Sequence, residues 1–518
     1  MVRIVNAVRP RLARATSAAK PRVARLARTV RPLSAALSRP RSHRTWRYTA
    51  GAATAGLALT AGVVTLAGPW DANGQRTAER HRAAVLERAG GTDHDGSSTV
   101  PGAPRPAPSA GPVLAGVGRA TSPVDTGKAA PGETSLSNVL GPLLSAPSLG
   151  TAHAAAVVDV ATGRRLYGAG PDKALTPAST TKIATAVAAL SALGPDHRLT
   201  TRTALEPDTG ELVLVGGGDP TLTAHQHADG WASLRTLATR TAQALQKRGI
   251  HRITFSYDTT LYTGPALHRI GVNDNLAPVT ALIADEGRTN GSTSGPVIRV
   301  TDPAKDAATK FAGFLKAAGI TTTPPGPSKA TSRAETLATV SSPPLSALVE
   351  RMLTNSDNDI AEALARQTAL ATGRPAGFDG GARAIAAQLT KLGLPMSGAS
   401  FHDGSGLDRD DRLTANLLTA LLVKAGAPDQ PGLRPILTGL PVAHFTGTLA
   451  ARYTDGGAGV VRAKTGTLTG VNTLAGTVVD ADGRLLAFAF LASGTTDPLA
   501  AQSALDRTAT ALAGCGCG

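Results

Sequence analysis

The stretch Pro177-Ala178-Ser179-Thr180-Thr181-Lys182 runs directly into Ile183–Leu193, whose apolar residues read as a helix. Residues i and i+3 share a helix face, so this spacing sets the Lys182 amine beside the Ser179 hydroxyl. A helix start also offers free backbone N–H groups and a partial positive charge to a developing oxyanion. A serine and a lysine so placed form a nucleophile and base that need no histidine. The spacing alone is a weak signal, because Ser17-Ala18-Ala19-Lys20 repeats it near the N-terminus. Partners elsewhere in the chain have to separate the two copies.

Two further blocks supply them. Ser356-Asp357-Asn358 precedes a helical run over Ile360–Ala371, and Lys464-Thr465-Gly466-Thr467 closes a strand-like run that begins at Val460. Neither spacing recurs in the chain. In order, the three blocks form the signature of active-site serine penicillin-interactive enzymes. Chemistry assigns the roles. Ser179 attacks a carbonyl and is acylated. Lys182 accepts the proton once its amine is neutral, and a nearby Lys464 ammonium is expected to depress its pKa, with burial adding to the effect. Ser356 relays a proton to the leaving amine, and Asn358 holds Lys182 and the substrate amide. Lys464 and Thr465 sit on a strand edge that can pair with an extended peptide and bind its terminal carboxylate. Gly466 lets a ligand approach that backbone closely. The N–H groups of Ser179 and Thr467 are the expected oxyanion hole.

Other chemistries find no support. There is no Gly-x-Ser-x-Gly elbow and no His-Glu-x-x-His helix. The run Gly216-Gly217-Gly218-Asp219-Pro220 reads as a tight turn, since no Lys-Ser/Thr helix follows it to hold a phosphate. His402, His444, His225 and His227 read as loop or surface residues. Asp219, Asp274, Asp285 and Glu286 read as turn or solvated carboxylates.

With these blocks in hand, the chain resembles the D-alanyl-D-alanine carboxypeptidase/endopeptidases among the low-molecular-mass penicillin-binding proteins. The 177 positions from Ser179 to Ser356 match the branch with a large insertion between the first two motifs. Pro177–Val187, Leu214–Leu222, Ser356–Ile360, Asp403–Leu407 and Lys464–Gly470 read like its motif blocks, within a resemblance that covers about Leu149–Ala513. The resemblance implies cleavage of the terminal D-Ala of peptidoglycan stem peptides, or of their cross-links, acylation by β-lactams, and no metal or organic cofactor. It also implies that Arg409, Leu468 and Thr469 occupy positions forming the pocket for the substrate's side chain. A serine β-lactamase and a non-catalytic wall-binding protein are the alternatives. The first needs a deacylating base that the insert does not visibly supply, and the intact motif residues count against the second.

Charge and hydropathy place the ends. Met1–Tyr48 holds thirteen Lys and Arg and no acid, which leaves only +3 of the formal +16 for the other 470 residues. The basic charge is a tail, so no nucleic-acid partner is expected. Thr49–Gly68 carries no charge and, at ~1.5 Å per residue, spans a ~30 Å hydrocarbon core. Arginines before it and acids only after it predict a single-pass anchor with the tail in the cytosol and the body outside. Trp46, Tyr48 and Trp70 border it as interfacial aromatics do. A cleaved export signal is the alternative. Cys515 and Cys517, the two cysteines of the chain, read as part of a frayed end.

The expected fold is α/β: a transpeptidase/β-lactamase-like sheet-and-helix domain built from both chain ends, with an inserted mixed α/β region. The expected boundaries are a basic tail over 1–48, the anchor or signal over 49–70, and a Pro/Gly/Ser-rich linker over 71–148. The catalytic domain takes 149–205 and 341–518, and the insert takes 206–340. Strands are predicted at Ala154–Val160, Arg165–Gly168, Glu211–Val215, His251–Tyr257, Val297–Val300, Val460–Lys464, Thr473–Val479 and Leu485–Ala492. Helices are predicted at Trp231–Lys247, Ala304–Ala318, Pro344–Leu353, Ala382–Lys391, Thr414–Lys424 and Ala500–Leu512.

Overall fold

A computed structural model of the chain describes residues 133–454 and 456–515. The basic tail, the apolar segment over 49–68 and most of the expected linker lie outside the described residues. Among the described residues, no helix is long and apolar enough to cross a membrane.

Folded structure begins earlier than the sequence suggested. Helix α1, Glu133–Leu144, falls inside the stretch expected to be linker. Leu136, Leu140 and Leu144 recur at helical spacing and are buried. That stripe is short enough to be hidden in a Pro- and Ser-rich context. Strands β1 (Ala152–Asp159) and β2 (Arg165–Ala169) then form the expected hairpin, and a 3₁₀ turn at Ala178–Thr180 feeds helix α2, Thr181–Leu193. The next elements are β3 (Thr200–Leu205), β4 (Leu212–Val215), α3 (Leu234–Gln246), β5 (Arg252–Ile253), β6 (Phe255–Asp258), α4 (Pro303–Ala317), β7 (Thr321–Thr322), β8 (Gly326–Pro327) and β9 (Glu335–Ser341). After these come α5 (Leu345–Asn355), α6 (Asn358–Ala371), α7 (Phe378–Lys391) and α8 (Ala415–Gly426). The chain closes with β10 (Val461–Leu468), β11 (Val471–Val479), β12 (Leu485–Ser493) and α9 (Pro498–Ala513).

The catalytic sheet is antiparallel, in the order β10-β11-β12-β1-β2, so the first folded strands lie beside the last. Its strands are apolar on both faces because both faces are covered. Along β1, Ala154 and Ala156 face one core while Ala155 and Val157 face the other; along β12, Ala487, Ala489 and Leu491 alternate with Leu486, Phe488 and Phe490. The alanine-rich face packs on α8 and the central helices, and the bulkier face packs on α1 and α9. Cys515, expected in a frayed end, is buried in this second core. Helix α2 is buried along Thr181–Leu190, as a helix enclosed by others must be.

The insert has its own core. Its sheet runs β8-β6-β4-β3-β9, and α3 and α4 cover it through Leu237, Leu245, Phe311 and Leu315. Strand β3, which the boundary at 205 gave to the catalytic domain, belongs to this sheet. It pairs antiparallel with β9 from Thr200↔Ser341 to Leu205↔Glu335, so the insert leaves and returns side by side over residues 200–341. The strand expected at Val297–Val300 is not formed; that stretch keeps a single bridge, Arg288↔Arg299.

The glycine run Gly216–Gly218 is the junction of the two halves. A Cβ on Gly216 would meet Ala281 O at 2.4 Å, one on Gly217 would meet Thr200 O at 2.0 Å, and one on Gly218 would meet the Tyr262 hydroxyl at 2.3 Å. Gln367 of α6 donates to Gly217 O at 3.1 Å, and the Tyr262 hydroxyl donates to Gly218 O at 3.2 Å.

Candidate active site

Ser179 sits in the 3₁₀ turn, one residue after Ala178, whose φ of 48° lies in the left-handed region. The turn is wedged between two glycines. A Cβ on Gly406 would meet Ala178 O at 2.0 Å, and one on Gly466 would meet Thr473 Oγ1 at 2.1 Å and Pro177 O at 2.7 Å. The small size of Gly466, expected to admit a ligand, instead admits the turn that carries Ser179. Thr473 Oγ1 donates to Pro177 O at 2.8 Å and holds the turn against β11.

Lys182 is fully buried and has three acceptors. Its Nζ donates to Ser179 Oγ at 3.0 Å, Asn358 Oδ1 at 2.7 Å and the Ser405 carbonyl at 2.6 Å. Burial lowers its pKa to about 8 against the opposing pull of Asp403, Glu362, Asp357 and Asp359. The depression therefore comes from desolvation, where repulsion by Lys464 was expected to lead. The repulsion is felt at the other amine: burial, then Lys182, holds Lys464 well below the ordinary lysine value. Lys464 is buried too, and its Nζ donates to Thr465 O at 2.8 Å.

Asn358 opens α6 and bridges the halves, since its Nδ2 donates to the Asn275 carbonyl at 2.9 Å. Ser356 ends α5 in a left-handed conformation, φ 58°. Both residues line a cleft of about 340 Å³ together with Ser179, Thr448, Thr465, Thr467 and Leu468. Arg288, Arg299 and Asn275 form its far wall, from the insert. Thr465 Oγ1 meets Thr448 Oγ1 at 2.9 Å. Arg409 and Thr469 are not in the lining. The Arg409 guanidinium donates to Thr469 O at 2.6 Å, and the neighbours Leu407 and Leu468 face the cleft instead.

Glu362 carried no signal of its own in the sequence, whereas Asp403 and Ser405 lie in the block Asp403–Leu407 without a role assigned there. The Ser405 carbonyl is held by Glu362, whose Oε1 accepts from Gly404 N–H at 3.0 Å and Ser405 N–H at 2.9 Å. Asp403 accepts from Gly406 N–H at 2.6 Å and Asp408 N–H at 2.8 Å. Glu286, Asp357 and Asp359 crowd within metal-ligating distance of one another, but their charges are answered by arginines. Arg288 and Arg351 donate to Glu286 at 2.7 Å each, and Arg299 donates to Asp359 at 2.7 Å. Glu286 and Asp219, read from the sequence as turn or solvated carboxylates, are buried. Burial raises the Asp219 pKa to about 6.

Fold and site together define an active-site serine hydrolase of the penicillin-recognising fold. The chain belongs to the D-Ala-D-Ala carboxypeptidase 3 (S13) family, whose model matches residues 136–297 and 289–512. It is 38% identical over 443 residues to the carboxypeptidase DacB of Mycolicibacterium smegmatis, covering 83% of this chain and 93% of that protein. It is 29% identical over 453 residues to the D-alanyl-D-alanine carboxypeptidase of an Actinomadura species, covering 72% and 84%. Penicillin binding protein 4 of Haemophilus influenzae has a similar fold, with a TM-score of 0.58 at 22% identity over 72% of this chain and 97% of that one.

Proposed function

We infer that this protein is a serine-type D-Ala-D-Ala carboxypeptidase that acts on peptidoglycan stem peptides through an acyl-serine intermediate. The observation that carries the reading is the contact of a buried, weakly basic amine, Lys182 Nζ, with Ser179 Oγ at 3.0 Å. As the Ser179 oxygen bonds to the carbonyl carbon of the penultimate D-Ala, its proton passes to Lys182. The C–N bond to the terminal D-Ala then breaks, and that nitrogen takes a proton delivered through Ser356. Water, deprotonated by the same lysine, cleaves the ester and frees Ser179. Backbone N–H groups of Ser179 and Thr467 hold the oxyanion, a contribution of ~10²–10³ per donor. Lys464 and Thr465 receive the terminal carboxylate.

β-Lactams enter as substrates that acylate Ser179 and are released slowly. The cleft carboxylates are already engaged, Asp357 by the Ile360 N–H and Asp359 by Arg299 and the Ala277 N–H. That leaves no obvious base dedicated to deacylation and disfavours a β-lactamase. Penicillin binding protein 4 of H. influenzae was solved with a β-lactam, in keeping with this reading. The cleft is walled by both halves of the protein, and added D,D-endopeptidase activity on stem cross-links is part of the same proposal.

The uncharged run over 49–68 behind an arginine-rich tail supports anchoring with the catalytic body outside the cell membrane. Labelled penicillin should acylate the wild-type chain and fail with Ser179→Ala; labelling of the alanine variant would overturn the mechanism. Mass spectrometry of products from monomeric and cross-linked muropeptides separates the two peptidase activities. Fractionation of cells should place the protein with membranes, and recovery as a shortened soluble form would mean that the segment is cleaved.

A further inference from the structure

The loop between β6 and α4 touches the catalytic domain at a buried histidine. His268 Nε2–H donates to Asp403 Oδ2 at 3.2 Å, and Nδ1 accepts from Ile270 N–H at 3.2 Å. Both ring nitrogens are used, which fixes the tautomer and ring orientation. Phe378 packs edge-on at 4.9 Å between centroids. The next residue, Arg269, pairs with Asp408 and Asp410. The insert thus grips the turn Asp403-Gly404-Ser405-Gly406 from outside, while the Ser405 carbonyl holds Lys182 Nζ from within at 2.6 Å.

We propose that His268 is a positioning residue for acylation: its bond to Asp403 fixes this turn so that the Ser405 carbonyl keeps the Lys182 amine aimed at Ser179. The proposal rests on the acyl-serine reading. Within the turn Asp403 Oδ2 accepts from the Asp408 N–H at 2.8 Å and the Ser405 hydroxyl at 3.2 Å, so His268 is its contact from outside the turn. Without it a fully buried carboxylate oxygen loses one of three donors, and the turn would shift or admit water to replace it. Either change misplaces an amine whose basicity depends on being dry. The charged groups around Lys182 are Asp403, Glu362, Asp357 and Asp359, with Lys464 beyond. Those around His268 are Asp403, Glu362 and Asp408, with Arg366 paired to Glu362 and lying over the Phe378 ring, and Asp411 interacting with Asp403.

The test is the pH-dependent rate of acylation of the full chain by a fluorescent penicillin. In His268→Ala the limiting rate should fall roughly ten- to a hundredfold, as expected for a misplaced catalytic group, with the half-saturating penicillin concentration unchanged. Its midpoint should move to higher pH as water reaches Lys182. His268→Gln, which presents an N–H near the Nε2 position, should restore most of the rate; His268→Asn, too short to reach Asp403, should not. Wild-type rate and midpoint in His268→Ala, a loss confined to half-saturation, or equal rates in the Gln and Asn variants would each overturn the proposal. If His268→Ala does not fold, the Gln and Asn pair decides by the same criterion. A wild-type chain that penicillin never labels overturns the acyl-serine reading and this proposal with it; labelled wild type with an unchanged alanine variant overturns this proposal alone.

Discussion

The proposed role of Lys182 as the base rests on its being dry. With a pKa of about 8, roughly a tenth of the amine is neutral at neutral pH. Acylation by penicillin should therefore rise with pH up to that value and level above it, and a rate flat between pH ~6 and ~8 would contradict the assignment. Lys182→Arg keeps the charge but removes the base, and should cost ~10²–10⁴ in acylation rate measured at fixed penicillin. Gly466→Ala tests the wedge. Its methyl group would meet Thr473 Oγ1 at 2.1 Å and Pro177 O at 2.7 Å. An overpacking cost of about 1–3 kcal/mol is expected in thermal unfolding, with slowed acylation because the displaced atoms belong to the nucleophile's turn. Normal stability and normal acylation together would show that the turn has room to spare.

At the scale of elements, the motif blocks were legible because their chemistry is written at short spacing. Ser179 and Lys182 share one helix face, and Lys464 to Thr467 lie along one strand. The paired strands β3 and β9 were not legible, since Thr200-Thr201-Arg202-Thr203 and Glu335-Thr336 carry β-branched residues without an apolar run. The block Asp403–Leu407 was legible as a motif, but Glu362 and His268 reach the site only through tertiary contact, His268 from 135 positions before its partner Asp403. No local pattern marks such a residue. Helix α1 shows the opposite failure, a real apolar stripe read as spacer because Pro, Ser and Gly surround it. Leu140→Ala should destabilise the folded body by about 2–5 kcal/mol, measured by denaturant unfolding, because Leu140 is fully buried. A change under ~0.5 kcal/mol would mean that α1 is an ornament on the domain.

For the whole molecule, a buried acid sets a pH dependence of stability. Asp219 has a folded pKa raised to about 6 from 3.8, so the folded state binds its proton more tightly than the unfolded chain does. Its favourable contribution is complete below the unfolded value and is lost as pH rises through about 6. Asp219→Asn should match the wild type near pH ~4 and be the more stable above pH ~7, by on the order of 3 kcal/mol. Equal melting temperatures at both pH values would refute this.

The sheet order β10-β11-β12-β1-β2 has a consequence in time. Strand β1 emerges early, yet its partner β12 is made more than three hundred residues later, from Ala152↔Ser493 to Asp159↔Leu486. Until then β1 has only the short β2 beside it, a two-stranded hairpin that is marginal in water. The insert closes on itself, its first strand meeting its last within 200–341, so it can mature while the catalytic sheet still waits. A chain that acquires its nucleophile early and its sheet last stays inactive until synthesis is nearly complete. The closing of that long loop, which also completes the site, carries the entropic cost of a contact made across more than three hundred residues.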